Sequence, residues 1–366
     1  MPHSPLAEIA RQFVILPAVA PAAAVATGWL GAAGFEFAEG AAFRDQSRAG
    51  DARAFFDLAS ITKSFVAVTV ARLVQRGRLA FDTKLRDLLP EAHGTATGSA
   101  SILLLLAHRA GLEAHRTLFG PLLAGLPFDQ AAAIRETVHG RRPECPGPAP
   151  VDGHPPVYSD LGFALVGLAV ERLEQLPLDQ VVDREVCAPL GLEVGSARVL
   201  RARGGGFAAR CMPTETVPFR GGEVHGIVHD ENAWALSGHG LSGHAGLFGT
   251  AIAVARFGAA LLDAKGGRSP MWLESRCLAP LLEERSGGTL RAGFDGKSAD
   301  QSSSAGTLVS RRTFGHLGFT GTSFWCDPDA ERVLVLLTNR VCPTRKNPRI
   351  RAARAAVNDA LYAFRA

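Results

Sequence analysis

The chain has 366 residues, 39 of them Lys or Arg and 35 Asp or Glu, for a formal net charge of +4. That length exceeds one small domain and fits two intermingled domains or one large one. With 47% hydrophobic and 20% charged residues the composition is that of a globular, enzyme-sized protein. Its arginines are scattered, which gives nucleic-acid binding no support, and no apolar run is long and pure enough for a membrane span.

At the N-terminal side, RQFVILPAVAPAAAVATGWLG (11–31) carries A-x-A triplets after an apolar stretch, as a signal peptide does. Glu8 precedes that stretch, and Pro17 and Pro21 interrupt it. The expectation is therefore a retained segment in a cytoplasmic protein, with Ala22–Trp29 as a first strand at the edge of a sheet. GFEFAEGAAF (34–43) is its hairpin partner. A helix headed by Ser60 follows, apolar nearly all round from Phe65 to Val74 and hence buried, with Gly77 as its stop.

SILLLLAHRAGL (101–112) reads as a short buried helix ended by Gly111, and PFDQAAAIRETVHG (127–140) as an amphipathic one. RRPECPGPAPVDGHPP (141–156) is a Pro/Gly-rich loop leading into a helix with Tyr158, Ser159 and Asp160 at its start. Another helix is expected around Leu178 to Ala188, then long loops from about Ala202 to His244. Thr250 N-caps a helix over AIAVARFGAALLDA (251–264). TFGHLGFTGTSFWCDPDAERVLVLLTNR (313–340) alternates like strands with a turn at DPDAE, and NPRIRAARAAVNDALYAF (347–364) closes as a helix. Strands at both ends with helices between predict an α/β (α+β) fold. In it, an antiparallel sheet flanked by helices is built from both chain termini. The expected division is a sheet domain of residues 1–84 and 240–366 and an inserted, mostly helical and loop-rich domain of residues 85–239.

The six cysteines form no C-x-x-C pair and no histidine lies at finger spacing, so no metal is expected and reduced, partly buried thiols are. His225, His229, His239 and His244 cluster in Gly-rich loops. H-x-x-x-H there can be read as metal-binding or as loop histidines making ordinary hydrogen bonds.

Ser60 and Lys63 carry the chemical question. A serine hydroxyl becomes a good nucleophile only when a base takes its proton, and residues at i and i+3 of a helix share a face. Alone, S-x-x-K also fits an N-capping serine followed by a solvated lysine. Two further features join it: the polar trio Tyr158-Ser159-Asp160 at the head of a buried helix, and HLGFTG (316–321), which puts a basic residue before a glycine in a strand.

With DLASITK, YSDLGFALVG, GHAGLFGTA and GFTGTSFW around them, these motifs resemble the penicillin-recognising serine hydrolases: class C β-lactamases, serine DD-peptidases and related esterases. That family carries S-x-x-K, Y-x-N and [K/H]-x-G in this order, matched here by Ser60–Lys63, Tyr158–Asp160 and His316–Gly318. The resemblance covers nearly the whole chain. It is nearest to penicillin-binding-protein-4B-like and esterase-like members, which carry a segment similar to VHDENA (228–233).

The resemblance implies β-lactamase/transpeptidase-like architecture, an acyl-enzyme on Ser60 and proton transfer shared by Lys63 and Tyr158. It further implies an oxyanion hole from the backbone N–H groups of Ser60 and Phe319. Asp160, His316, Gly318 and His229 would contact substrate. The expected substrate is a small ester, amide or β-lactam, with no cofactor and no metal. A catalytically weak penicillin-binding sensor and an acyltransferase using the same acyl-enzyme are the alternatives.

Two departures matter. Asp160 stands where the family has Asn, and an ionised carboxylate only accepts hydrogen bonds. His316 stands where Lys is common, and a histidine with a pKa near ~6.5 loses its charge above that pH. Both penalise an anionic penicillin more than a neutral ester and predict an esterase or peptidase with weak β-lactam turnover.

Overall fold

The structure is a computed structural model that describes residues 4–45, 51–300 and 303–365. Its main sheet has six strands: β1 (Ala22–Gly31), β2 (Gly34–Phe43), β3 (Asp295–Gly296), β4 (Phe314–Leu317), β5 (Ser323–Asp327) and β6 (Arg332–Thr338). They lie in the order β2-β1-β6-β5-β4-β3, and every neighbouring pair is antiparallel. The sheet thus joins the two ends of the sequence, as expected. One expectation is corrected. β1 is not an edge: it pairs with β2 through Ala22↔Phe43 and with β6 through Ala23↔Thr338, and β2 forms the edge. Ala22–Ala26 are all buried, which an interior position between two partners requires.

Period-two alternation sorts the side chains onto two faces. Ala23 and Val25 of β1, Trp325 of β5 and Leu334 and Leu336 of β6 pack with one apolar cluster. That cluster includes Leu6 and Ala10 of helix α1 (Pro5–Ala10). α1 is N-capped by Ser4 and continues into a π-helical turn, Arg11–Ile15. The sequence reading left this stretch without a helix. Its spacing of Leu6, Ala10 and Val14 supplies one buried stripe.

The opposite face of the sheet, with Ala22, Ala24, Ala26, Phe324, Val333, Val335 and Leu337, packs in the larger core. That core holds helices α2 (Thr62–Gln75), α3 (Asp160–Glu174) and α4 (Ala251–Lys265). Phe65 of α2 stacks on Phe257 of α4 with ring centroids 3.9 Å apart. Gly258 lets α4 lie close to the sheet, since a Cβ there would stand 2.6 Å from Val333 Cγ1. Helix α5 (Ile350–Ala363) returns to the first face, burying Ile350, Val357 and Leu361.

Most expected helices form. Ser159 caps α3, Asp129 caps Gln130–Val138, and Thr250 caps α4 by accepting from Ala253 N–H. Three boundaries differ. The buried helix over the ILLLL run spans only Ile102–Leu106, because His108 takes a left-handed φ of 61° before Gly111 is reached. The helix at Leu178 turns π-helical over Asp183–Cys187. Within 202–244, read as loops, the chain forms Phe207–Arg210, a short ribbon of Thr216–Val217 with Gly222–Glu223, and the helix Glu231–Ser237 capped by Asp230. A second sheet sets Leu247–Gly249 between Phe56–Asp57 and Val194–Ser196. All six cysteines are free thiols, five of them buried.

Candidate active site

Ser60 lies in a 3₁₀ turn, Ala59–Ile61, that leads directly into α2. The turn is locked from below. The buried Asp57 carboxylate accepts Ala59 N–H at 2.8 Å and His229 N–H at 2.7 Å, and Ala59 is held at a φ of 49°. A left-handed alanine is strained and persists only where its surroundings over-determine it. Ser60 is thereby presented at the start of a helix, where unpaired N–H groups favour developing negative charge.

Lys63 is wholly buried one turn on, and its ammonium is fully engaged. Nζ donates to Ser60 Oγ at 2.9 Å and to the His244 carbonyl at 3.2 Å, and pairs with Asp160 Oδ1 at 2.8 Å. Tyr158 stands across from them, with Lys63 Nζ 4.8 Å from its ring centroid. Asp160, the first residue of α3, also faces His115, with Nδ1 3.6 Å from Oδ2.

Burial alone would drive each of these groups toward its neutral form, and the neighbours decide which yields. Desolvation pulls Lys63 down, but its neighbours, the Asp160 charge foremost, overcome it and its pKa is raised. Desolvation pushes Asp160 up, but Lys63 and His115 overcome it and hold the carboxyl well below the usual range. Tyr158 goes up, because burial outweighs the help of Lys63. The resting site therefore holds a Lys63–Asp160 ion pair beside neutral Ser60 and Tyr158 hydroxyls. A preformed Tyr158 phenolate, which a neighbouring cation alone would favour, is not its resting state.

Two imidazoles flank the tyrosine. The His108 ring lies tilted against it at 4.7 Å between centroids and accepts Ser159 N–H through Nδ1 at 2.9 Å, while the His316 ring lies at 6.0 Å. Burial, followed by the charge of Lys63, lowers both to about 3. His316 is thus neutral throughout the physiological range, and the expected titration near neutrality gives way to that burial.

The end of β4 presses on the serine turn. Thr320 Oγ1 donates to Asp57 O at 2.7 Å and Thr322 Oγ1 to Leu58 O at 3.1 Å. A Cβ on Gly318 would sit 2.0 Å from Thr322 Oγ1 and 2.6 Å from Leu58 O, so only glycine lets strand and turn approach this closely. Ser60, Tyr158, Asp160, Gly318, Phe319 and His229 all line one cavity of about 700 Å³. His316, 3% exposed, does not line it.

The sequence reading missed several of the cavity's other residues. His115 lines the wall, as do Arg340, Arg345, Lys346, Arg351 and Arg354 from the segment between β6 and α5 and the start of α5. None sits in a motif, and nothing in their spacing announces a shared cavity. The loop histidines have ordinary partners: His225 Nε2 meets Cys211 O at 2.9 Å, and His229 Nε2 meets Glu215 Oε2 at 3.0 Å. Among the described residues no group of three or more His, Cys, Asp or Glu could hold a metal ion.

A serine at a helix head, a lysine beneath it, a tyrosine across from it and a glycine-bearing strand alongside are the arrangement of the three motifs in space, and comparison with known proteins gives the family. The chain belongs to the Beta-lactamase family, whose model matches residues 6–359. It is 27% identical over 336 residues to an Escherichia coli (strain K12) protein named "Putative D-alanyl-D-alanine carboxypeptidase", covering 85% of this chain and 75% of that one. Among solved structures it is similar to EstCE1, "a hydrolase with promiscuous acyltransferase activity", with a TM-score of 0.71 at 20% identity over 98% of this chain and 97% of that one. It is also similar to a penicillin-binding protein homologue from Caulobacter crescentus, with a TM-score of 0.68 at 20% identity over 98% and 96% of the two chains. At such identities the structural likeness speaks for the fold.

Proposed function

We propose that the protein is a serine hydrolase that forms an acyl-enzyme on Ser60 and cleaves a small ester or amide, turning over β-lactams only weakly. The observation that carries this reading is the contact of Lys63 Nζ with Ser60 Oγ at 2.9 Å, beside Tyr158, on the wall of a cavity.

Ser60 Oγ attacks the substrate carbonyl and forms the new C–O bond, while its proton passes to the Lys63–Tyr158 pair. The tetrahedral oxyanion is received by the N–H groups of Ser60 and Phe319. The leaving alcohol or amine takes the proton as its bond to carbon breaks. Water then attacks the acyl-enzyme and restores the Ser60 hydroxyl.

The pair accepts the serine proton only after losing one of its own. Asp160 raises the pKa of both members. Acylation therefore strengthens toward alkaline pH. Close to Ser60, an ionised Asp160 repels a penicillin carboxylate and the neutral His316 supplies no charge where the family's Lys would, so the cations on the cavity wall are those between Arg340 and Arg354; a neutral ester is indifferent to both Asp160 and His316.

Hydrolysis of p-nitrophenyl acetate and of one penicillin by wild type and Ser60→Ala tests the reading. The expected result is ester turnover above penicillin turnover in wild type, and a loss of roughly a thousandfold or more in Ser60→Ala. Equal activity in both proteins sinks it.

A second reading is favoured by the exposed cations Lys346 and Arg351 on the cavity wall, which suit the terminal carboxylate of a peptide. It makes the same acyl-enzyme part of a carboxypeptidase, the activity named for the relatives. Release of D-alanine from a peptide ending in D-Ala-D-Ala, faster than ester turnover, selects it.

A further inference from the structure

Arg354 on α5 is a buried guanidinium without an acid. It is 8% exposed, and among the described residues the only charged group that perturbs it is another cation, Arg340. Its Nε has no hydrogen-bond partner among the described residues. Burying an uncompensated charge is costly, so a role as simple loop filler would favour a neutral side chain. Its remaining bonds are specific: Nη2 donates to Gly318 O at 2.6 Å and to Thr322 O at 3.0 Å.

Gly318 O belongs to the same peptide unit as Phe319 N–H. We propose that Arg354 is a positioning residue of the oxyanion hole, gripping the Gly318–Phe319 peptide by its carbonyl so that Phe319 N–H is aimed and strengthened as a donor. The inference rests on the assignment of Phe319 N–H to the oxyanion hole made above.

Further contacts fix that peptide and its two neighbours. Gly321 N–H adds a second bond to Gly318 O at 3.0 Å, and Gly318 N–H is fixed on Thr322 O at 2.8 Å. Arg340 Nε holds the next carbonyl, Phe319 O, at 2.8 Å. From the other side the bare Cα of Gly318 abuts Leu58 O and Thr322 Oγ1. A hydrogen bond to an amide carbonyl polarises the amide and makes its N–H a better donor, the more so from a charged group away from water.

The test compares wild type, Arg354→Met, Arg354→Lys and Ser60→Ala as full chains on p-nitrophenyl acetate, with kcat and KM resolved and Tm measured. Arg354→Met is expected to lose roughly 10- to 100-fold in kcat with KM within about twofold. Arg354→Lys, which keeps the charge and one donor, recovers part of the loss. A merely structural Arg354 would instead lower Tm and leave kcat per folded molecule unchanged, which overturns the inference. Should Arg354→Met fail to fold, Arg354→Lys decides alone: a severalfold fall in kcat at unchanged KM supports the proposal, and wild-type kcat overturns it. Ser60→Ala separates the two levels. If it is active, the nucleophile assignment falls and this inference with it; if it is dead while the Arg354 variants match wild type, only the inference on Arg354 falls.

Discussion

The substitution of Asp for the family's Asn at 160 changes the electrostatics of every group around Ser60. Asp160 pairs with Lys63 at 2.8 Å and raises the pKa of both Lys63 and Tyr158. Because the deprotonated pair is the active form, Asp160→Asn should move the acidic limb of the kcat/KM profile to lower pH. A pH-rate profile on a neutral ester checks the direction, and a limb that stays put or moves up contradicts it. His316 should leave no mark on that profile: with its pKa lowered to about 3 it is neutral across the assay range, so His316→Gln should leave the limb in place whatever it does to the rate. A limb that vanishes with His316 would return the titration to that residue. Stability follows the same pair. Asp160 has a depressed pKa, so its contribution is present above the unfolded value near ~3.9 and is lost as pH falls through the folded one. Asp160→Ala leaves the buried Lys63 charge uncompensated, at a cost of about 3 kcal/mol or more in urea unfolding at neutral pH.

At the scale of elements, the site depends on the close seat of β4 against the serine turn. Gly318→Ala would place a Cβ 2.0 Å from Thr322 Oγ1, which could rotate away only by giving up its bond to Leu58 O, and 2.6 Å from the Leu58 backbone carbonyl, which cannot yield without moving the turn. The expected outcome is a fall in kcat of roughly a hundredfold with a lowered Tm, read from ester kinetics and thermal unfolding. Wild-type kinetics in that variant would show that the seat is not needed. The helices that were legible in the sequence are those whose period and cap agree, such as α4 behind Thr250 and α3 behind Ser159. The short helix at Glu231 was not, because Gly and His dominate its surroundings and its stabilisation is tertiary: Asn232 bonds Arg116 O at 2.7 Å and Phe119 N–H at 3.2 Å. The helix at Pro5 was hidden by an apolar run that also fits a leader.

At the scale of the whole molecule, strand alternation at both ends was enough to predict one sheet, but not its order. Periodicity says which face a strand buries and is silent on its neighbours. Hence β1 was expected at the edge and lies between β2 and β6. Deleting residues 1–34 would remove that interior strand, and the protein should show no cooperative unfolding transition; a folded, active truncation would contradict this. The site was legible only as three separated motifs. Ser60, Tyr158 and the His316–Phe319 strand end are far apart in sequence, and no local rule brings His115 or Arg354 to the same cavity. The claim on which the rest stands is that Ser60 is the nucleophile. Incubation with a fluorophosphonate, followed by intact-mass measurement and peptide mapping, tests it most directly. A single adduct on Ser60, absent from Ser60→Ala, is expected; an adduct on another residue, or equal labelling of the two proteins, would rule Ser60 out as the nucleophile.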